Sequence, residues 1–309
     1  MPPNVIFLQP DDLPYYDGWV GRPTGIPNSP NRRVTPPSSF FPYYSQIHSE
    51  GVAFSEANVV SPACGTSRYS TLTGKFASRS ASGRTKTLNK DGSETRVQTT
   101  IPYIKLQDAD CSTNIVQLFK GAGYKTGVTG KWHLTKEGGG NSPLPSYAEQ
   151  QGLIQECGFD FADGLYWENM GGVFDGDFTH NMEWVTEKAV DFIHDAADSN
   201  TPFFLYFNPS VPHDPLVSDA LDNGDCRETP AGVLSSEPRV KHMTVDAATD
   251  AVSSCSSYRQ TVTAREDAGQ SNVHEQNLGG IWIDDGLGAL LQALEDKGIK
   301  DDTIIVTMM

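Results

Sequence analysis

A cysteine and an arginine lie four residues apart in residues 64–75, CGTSRYSTLTGK, where the pattern favours a helix. Because positions i and i+4 share one face of a helix, we expect Arg68 beside Cys64. The first turn of a helix adds unpaired N–H groups and the positive end of the helix dipole. The segment therefore predicts an anion-binding site around a reactive side chain. For these two residues alone, a buried structural cysteine is the alternative interpretation.

A pair of carboxylates, Asp11 and Asp12, follows the apolar residues 4–9, NVIFLQ, after one proline. Adjacent carboxylates repel each other unless a cation lies between them, and a hard divalent ion such as Ca²⁺ would relieve that repulsion. The alternative is a solvated turn in which an aspartate caps a helix. The pair is therefore a candidate metal site.

Two further segments carry a cation and histidines that can bind an anion or transfer a proton. Lys131 and His133 lie in residues 123–134, GYKTGVTGKWHL, just after a predicted strand. The alternative for them is a surface loop around a buried tryptophan. His213 lies in residues 211–215, VPHDP, where the prolines restrict the backbone. An ordinary surface turn is the alternative for His213.

These residues need elements that bring them together, and the apolar pattern predicts an α/β fold. Strands are predicted at 4–9, 124–129, 202–208 and 303–307, and helices at 40–49, 64–74, 113–120, 181–195 and 279–297. Buried strands that alternate with helices indicate a mostly parallel central sheet flanked by helices. Ligands of such sheets bind beyond the carboxyl ends of the strands, where most of the candidate residues fall.

The remaining segments are predicted to be less regular. Residues 52–60 favour one or two short strands, and residues 77–100 and 131–147 have loop-like compositions. Residues 215–272 have weak periodicity, and we expect a long irregular insertion there that carries substrate specificity. Ser112 is expected to cap the helix at 113–120.

The motifs, taken in order, resemble those of the sulfatase family in the alkaline-phosphatase superfamily. The first sulfatase signature runs from Cys, a small residue, Pro, Ser and Arg to Leu-Thr-Gly-Arg/Lys. Matching positions here are Cys64, Ser67, Arg68, Leu72, Thr73, Gly74 and Lys75. Thr66 departs from the signature, because the family usually has Pro there. Residues 123–134 resemble the second signature, Gly-Tyr-x-Thr…Gly-Lys-Trp-His-Leu, and the early Asp-Asp pair and a Pro-His-x-Pro segment also occur in family order.

The resemblance implies an alkaline-phosphatase-like fold and the hydrolysis of sulfate esters to an alcohol and inorganic sulfate. In sulfatases, a formylglycine-generating enzyme oxidises the signature cysteine, and the hydrated aldehyde supplies the oxygen nucleophile that attacks sulfur. Thr66 lies in the segment that this enzyme recognises. By resemblance, Cys64 becomes formylglycine, and one Ca²⁺ ion is the metal cofactor. The implied site residues are Cys64, Arg68, Lys131, His133 and His213 for catalysis, and Asp11, Asp12 and Cys64 for the metal.

The family also implies a role for each catalytic residue. Lys131 is expected to bind the sulfate oxygens, together with Arg68, which stabilises charge in the transition state. His133 is expected to hydrogen-bond the formylglycine hydrate, and His213 is the candidate general acid. Three alternatives remain open: a related phosphoester or phosphonate hydrolase, a non-catalytic, truncated sulfatase-like protein that binds anions, and a structural α/β domain. The last of these would not explain the ordered motifs.

The family's metal site takes a second ligand pair from beyond the strand equivalent to 303–307, whereas this sequence stops at Met309. We therefore expect residues 1–309 to be the N-terminal part of a catalytic domain that lacks its C-terminal subdomain. Asp284 and Asp285 lie in the preceding helix, and we expect them to be structural rather than replacement ligands.

Charge and cysteine content set further bounds. The chain has 309 residues with 23 Lys and Arg against 39 Asp and Glu, a net charge of −16, so no nucleic-acid partner is expected. A sulfate ester, small-molecule or carbohydrate, would need a locally positive site, which Arg68, Lys75 and Lys131 could provide.

No apolar stretch has the length of a membrane span. Residues 4–8 form a predicted strand with no visible signal peptide before it, which leaves the compartment open although sulfatases are usually secreted, lysosomal or periplasmic. Cys64 is the candidate odd member of five cysteines, and the other four form two disulfides or stay reduced.

Overall fold

A computed structural model of the chain describes residues 2–13, 41–54, 57–80, 84–88, 94–99, 104–106, 108–135, 145–168, 178–267 and 275–308. Its strands are β1 Asn4–Leu8, β2 Arg84–Leu88, β3 Glu94–Thr99, β4 Lys125–Lys131, β5 Phe161–Tyr166, β6 Phe203–Asn208, β7 Glu228–Thr229, β8 Gly232–Val233 and β9 Thr303–Thr307. Its α-helices are α1 Pro42–Glu50, α2 Cys64–Thr73, α3 Asp108–Cys111, α4 Ile115–Gly121, α5 Tyr147–Gln155, α6 Met182–Asp198, α7 Val217–Asn223, α8 Cys255–Asp267 and α9 Glu275–Asp296.

Five strands form a parallel sheet in the order β5-β4-β6-β1-β9. The central strand, β6, is buried along its whole length, as its continuous apolar sequence FFLYFN requires in a sheet that is covered on both faces. Phe203, Leu205 and Phe207 pack into one core layer with α6 and α9, and Phe204 and Tyr206 pack into the other with α4. The prediction of an α/β fold with a mostly parallel sheet between helices is confirmed.

The longest helices of the first layer lie close against the sheet. α6 is amphipathic, and its apolar residues, which include Val185, Phe192 and Ile193, are fully buried. A side chain at Gly127 of β4 would lie 2.7 Å from the ring of Phe192, so a glycine is needed where α6 crosses this strand. α9 is buried along most of its length between α6, α1 and α8. α6 and α9 thus cover one face of the sheet.

Several of the predicted local structures were wrong. Residues 52–54 and 57–60 form no strand in the structure, since they have no pairing partner among the described residues, and Val52 and Phe54 are exposed. Instead of a loop, 77–100 contains a short 3-10 turn and the antiparallel hairpin of β2 and β3, whose sequences are rich in β-branched threonine. Asn114, not Ser112, caps α4, because its side chain accepts the Gln117 N–H at 3.0 Å.

Residues 215–272 are more regular than the weak periodicity indicated. They contain α7, the short hairpin of β7 and β8, and α8, which packs on both α7 and α9. The segment is mostly polar and has few apolar residues, so its helices and hairpin produce no clear periodicity in the sequence. Within 131–147, residues 136–144 lie outside the described part of the chain, and α5 begins at Tyr147 behind a Ser146 capping box.

Two disulfides join Cys111 to Cys157 and Cys226 to Cys255. The first ties α3 to the end of α5, and the second ties the loop after α7 to the start of α8. Cys64 takes part in neither disulfide, as expected for the odd cysteine. Within the described residues, no helix is long and apolar enough to cross a membrane.

Candidate active site

The carboxyl ends of β1, β4 and β6 meet at one edge of the sheet, and the predicted site residues gather there. Asp11 follows β1, and its backbone pairs with Pro212 in the turn that follows β6. Lys131 is the last residue of β4. Gly130 before it has φ +89°, and a side chain at that position would collide with the Asn208 carbonyl of β6. The glycine therefore allows β4 to deliver Lys131 close to its neighbouring strand.

Asp11 is the centre of a buried charge cluster with Arg68 and Lys131, which we name the strand-end cluster. Lys131 Nζ donates to Asp11 Oδ2, and an Arg68 terminal nitrogen lies 3.3 Å from Oδ1. Arg68 also donates to the Lys131 carbonyl at 3.0 Å. All three residues are at most 2% exposed. Burial raises the pKa of Asp11, but Lys131 and Arg68 outweigh it and hold that pKa well below the ordinary value.

Cys64 begins α2 and faces His133. Its Sγ lies 3.2 Å from His133 Nδ1. His133 has φ +55°, a left-handed conformation that turns the chain sharply after β4, and its N–H donates to the Trp167 carbonyl at 2.8 Å. Burial raises the pKa of the Cys64 thiol. Burial also lowers the pKa of His133, to about 2, with Lys131 and Lys105 acting in the same direction. The pair is therefore a thiol facing a neutral imidazole at neutral pH.

Two buried residues that the sequence analysis missed complete the contacts of His133. Glu168 Oε2 lies 3.2 Å from His133 Nε2, and Glu168 Oε1 accepts a hydrogen bond from Lys105 Nζ at 2.6 Å. Glu168 follows β5, so it also lies at the carboxyl end of a parallel strand. The β5 sequence FADGLY contains Asp and Gly and no long apolar run, so the strand was not recognised. Recognition of β5 would have directed attention to Glu168.

His213 and Asp12 lie at the exposed side of the site. Their side chains are 3.9 Å apart, between His213 Nε2 and Asp12 Oδ2. His213 Nδ1 donates to the Asp214 carbonyl at 2.8 Å, and the His213 side chain is 21% exposed. The peptide bonds before Pro212 and Pro215 are cis. The turn predicted around His213 is therefore present, next to the carboxylate pair.

A third residue that the sequence analysis missed, His180, hydrogen-bonds to the backbone of this turn. It is fully buried, and its Nε2 lies 2.7 Å from the His213 carbonyl and 2.9 Å from the Pro215 carbonyl. Its Nδ1 lies 3.0 Å from the Ser210 hydroxyl. Burial lowers the pKa of His180 to about 4, so the ring stays neutral at neutral pH. No motif surrounds His180 in the sequence, and only the folded contacts identify it.

Lys75, which we expected to add positive charge to the site, does not. It follows the C-terminal end of α2, whereas Cys64 starts that helix, and a helix of ten residues is about 15 Å long. Lys75 Nζ instead pairs with Asp110 at 3.1 Å. The local positive charge therefore comes from Arg68 and Lys131, whose two cations face the single buried carboxylate of Asp11. Arg68 Nε is buried and has no hydrogen-bond partner among the described residues.

The described residues fit part of a calcium site. Asp11 and Asp12 offer the hard oxygen ligands that Ca²⁺ prefers, and Ca²⁺ takes about six to eight of them. No third Asp, Glu, His or Cys in the described part of the chain forms a close group with these two. The one close group found there, Cys226, Glu237 and Cys255, is not a metal site because its cysteines form a disulfide.

Asp284 and Asp285 are occupied by structural contacts, as expected. The Asp284 oxygens accept the backbone N–H groups of Tyr43 and Tyr44, at 3.1 and 2.7 Å, and so cap α1 from a distant helix. Asp285 accepts the Tyr258 hydroxyl at 2.8 Å and pairs with Arg265 at 2.8 Å. Neither residue takes part in the contacts of the strand-end cluster.

The family model of sulfatases matches residues 3–308, so the chain belongs to the sulfatase family of the alkaline-phosphatase superfamily. Among its curated relatives is the N-acetylglucosamine-6-O-sulfatase of Bacteroides thetaiotaomicron, which is 26% identical over 68% of this chain and 31% of that protein. The ulvan-active sulfatase of Formosa agariphila is 23% identical over 98% of this chain and 49% of its own length. The chain thus spans half or less of the length of these relatives.

Solved structures have the same fold. The crystal structure of Ps i-CgsB superposes with a TM-score of 0.57 at 19% identity and covers 99% of this chain and 58% of that one. The structure of BT4656 in complex with D-glucosamine-2-N,6-O-disulfate has a TM-score of 0.50 at 19% identity and covers 99% of this chain and 65% of that one.

Proposed function

We propose that this chain carries the nucleophile and anion-binding part of a sulfatase active site, in a protein that hydrolyses sulfate esters to an alcohol and inorganic sulfate. One observation carries the proposal: Cys64 starts a helix against His133, one helical turn from Arg68 in the buried cluster with Lys131. Its sulfur marks the place of the oxygen nucleophile that formylglycine, made from Cys64 by a formylglycine-generating enzyme, would supply as its hydrate.

Two buried cations are suited to the sulfate group. Arg68 and Lys131 share one carboxylate, so the site keeps an excess of positive charge in a place that water does not reach. Preorganised donors in such a place stabilise the negative charge that grows on sulfate oxygens as the ester bond breaks. A bound Ca²⁺ would take oxygen ligands from Asp11 and Asp12 and would add further positive charge. The Cys64 thiol forms no close group with these two carboxylates, so a ligand from position 64 would have to come from formylglycine.

Two histidines handle protons in this mechanism. His213 Nε2 lies 3.9 Å from Asp12 Oδ2 on a partly exposed side chain, while Nδ1 donates to the Asp214 carbonyl. As an imidazolium with a proton on each ring nitrogen, it could give the Nε2 proton to the leaving alcohol as the general acid and keep its Nδ1 hydrogen bond. His133 Nδ1 points at position 64, where it can accept a proton from the group that replaces the thiol.

Sulfated carbohydrates are the substrate class that we favour. The relatives include sulfatases named for N-acetylglucosamine-6-O-sulfate, N-acetylgalactosamine-6-sulfate and ulvan, and one solved neighbour is described with a glucosamine disulfate bound. A hexose hydroxyl is a poor leaving group, which agrees with the need for a general acid such as His213.

Mass spectrometry of the tryptic peptide 34–68, from protein made in its native host, tests the nucleophile. We expect formylglycine at position 64 and sulfate release from a panel of N-acetylglucosamine-6-sulfate, N-acetylgalactosamine-6-sulfate and an aryl sulfate. Cys64→Ala should keep the thermal unfolding profile and release no sulfate. Unmodified cysteine throughout, or full activity of Cys64→Ala, would overturn the proposal. Faster release of phosphate than of sulfate from matched esters would favour the phosphoester alternative.

A further inference from the structure

A continuous chain of buried side chains runs from Cys64 into the protein through His133, Glu168 and Lys105. The joining distances are 3.2 Å from Cys64 Sγ to His133 Nδ1, 3.2 Å from His133 Nε2 to Glu168 Oε2, and 2.6 Å from Glu168 Oε1 to Lys105 Nζ. His133, Glu168 and Lys105 are at most 6% exposed. Within the described part of the chain, the hydrogen bonds and ion pairs of Glu168 and Lys105 run to His133 and to each other, apart from the strand-end cluster.

The contact with Glu168 determines which ring nitrogen of His133 carries the proton. An ionised carboxylate can only accept hydrogen bonds, so the nitrogen that faces it must be the N–H. In a neutral imidazole the other nitrogen then has a lone pair, and that nitrogen is Nδ1, which faces position 64. A ring with the opposite tautomer would point a proton at the nucleophile and a lone pair at the carboxylate.

Lys105 keeps Glu168 in the form that this arrangement needs. A carboxylate that is 1% exposed would be costly to ionise by itself, and a cation at hydrogen-bond distance offsets that cost. Lys105 lies in the short segment 104–106, which is fixed to the end of β4 by a hydrogen bond from the Leu106 N–H to the Leu134 carbonyl at 2.8 Å. The backbone thus holds the lysine beside Glu168.

We propose that Glu168, held by Lys105, is a positioning residue that fixes the tautomer of His133, with the proton on Nε2 and the Nδ1 lone pair aimed at position 64. The tautomer itself does not depend on what the enzyme hydrolyses. Its consequence for turnover does, and that part rests on the proposed function. In general terms the arrangement places an acid–histidine pair behind a nucleophile, as serine hydrolases do with different residues.

Histidine ¹⁵N NMR spectra of the full-length chain test the tautomer directly. We expect the wild-type His133 resonances to be pyrrole-like at Nε2 and pyridine-like at Nδ1, with His133→Asn used for the assignment. In Glu168→Gln the amide can donate to Nε2, so the pattern should invert or become mixed. Glu295→Gln, which neutralises an exposed carboxylate paired with Lys300, is the matched control and should leave the pattern unchanged.

Steady-state kinetics of protein that carries formylglycine then measure the effect of the His133 tautomer on turnover. Glu168→Gln should lower kcat by about 10²- to 10⁴-fold, the range that wrong-tautomer variants of hydrolases approach, with KM for the sulfate ester nearly unchanged. Glu168→Asp, which keeps the carboxylate, should recover part of that loss.

The two proposals fail in different ways. A protonated Nδ1 in wild-type protein, or an unchanged His133 pattern in folded Glu168→Gln, overturns the role of Glu168 whether or not sulfate is released. Wild-type protein with the expected tautomer but no sulfatase activity would leave the positioning role standing and contradict the proposed function.

Discussion

Two buried charge clusters in this protein differ in how completely their hydrogen bonds are used. The strand-end cluster sets two cations, Arg68 and Lys131, against one carboxylate. The second cluster, which we name the helix cluster, joins Glu183 of α6 and Arg259 of α8. There, Arg259 donates to both Glu183 oxygens, at 2.9 and 2.8 Å, and to two backbone carbonyls, at 2.9 and 2.7 Å. Its guanidinium also lies 5.1 Å above the Trp282 ring.

This is the difference that we expect between a cluster that only stabilises the fold and one that also binds an anion. Burial alone does not do so, because Arg68 and Arg259 are each 1% exposed. In the helix cluster the charges balance and each guanidinium nitrogen has a partner. In the strand-end cluster positive charge is in excess, and Arg68 Nε has no partner among the described residues. A bound anion would neutralise the excess positive charge at the strand ends and accept a hydrogen bond from Arg68 Nε. The helix cluster has balanced charges and a partner for each guanidinium nitrogen, so it offers no such site.

The largest effect on stability should follow from breaking the helix cluster. Glu183→Gln leaves Arg259 buried without its counter-charge, and such a change costs about 3–5 kcal/mol. Thermal or denaturant unfolding measures this loss. The same substitution at exposed Glu295 should cost less than about 1 kcal/mol. Molecules of Glu183→Gln that remain folded should keep the wild-type contacts at the strand ends, and an equal loss in both variants would contradict the comparison.

For the strand-end cluster we expect a large loss of activity and little loss of stability. Lys131→Met should lower kcat by about 10²- to 10³-fold, the usual effect of removing one donor that stabilises the transition state. Stability should change little, because Arg68 remains to pair with Asp11. Steady-state kinetics and thermal unfolding of the same preparation give both quantities. The control is Lys120→Met, which removes an exposed partner of Asp160. A large loss of stability with normal turnover would make this cluster structural as well.

The loss of rate on replacing His213 should be larger for substrates with poorer leaving groups. A general acid helps most when the departing alcohol is a poor leaving group, so His213→Asn should slow carbohydrate sulfates by about 10²-fold or more and activated aryl sulfates much less. Rates on both substrate types, with exposed His48→Asn as the control, measure this contrast. An equal loss on both types would assign His213 to sulfate binding instead of proton transfer.

The sequence predicted the residues whose signals are local and missed those whose roles depend on distant contacts. Cys64 and Arg68 share one helix, and the apolar strands β1 and β6 are continuous in the sequence. Glu168 and Lys105, by contrast, meet across 63 residues, and the Asp and Gly of β5 hid the strand that positions Glu168. His180 likewise acts on carbonyls more than 30 residues away. No local pattern encodes such contacts.

A further expected effect is on the pH dependence of stability, and it concerns Asp284, which is buried in the structural part of the molecule. Burial raises its pKa to about 8, although the N–H groups of Tyr44 and Tyr43 oppose the rise. Between the ordinary value of 3.8 and about 8, the folded state holds a proton that the unfolded state has lost, so stability falls as pH rises through this window. The cost is absent below the window and complete above it.

Asp284→Asn removes this titration and should make the decline of the unfolding temperature between about pH 5 and pH 8 shallower than in wild type. The exposed substitution Asp301→Asn should leave the wild-type slope intact. Because Asp284 caps α1, the variant can be less stable at every pH, and only the slope is diagnostic. A slope identical to that of wild type would mean that Asp284 is ionised in the folded state, with the helix N-terminus outweighing burial. The helix-capping contact would then resemble the strand-end cluster, where neighbouring positive charge keeps a buried carboxylate ionised.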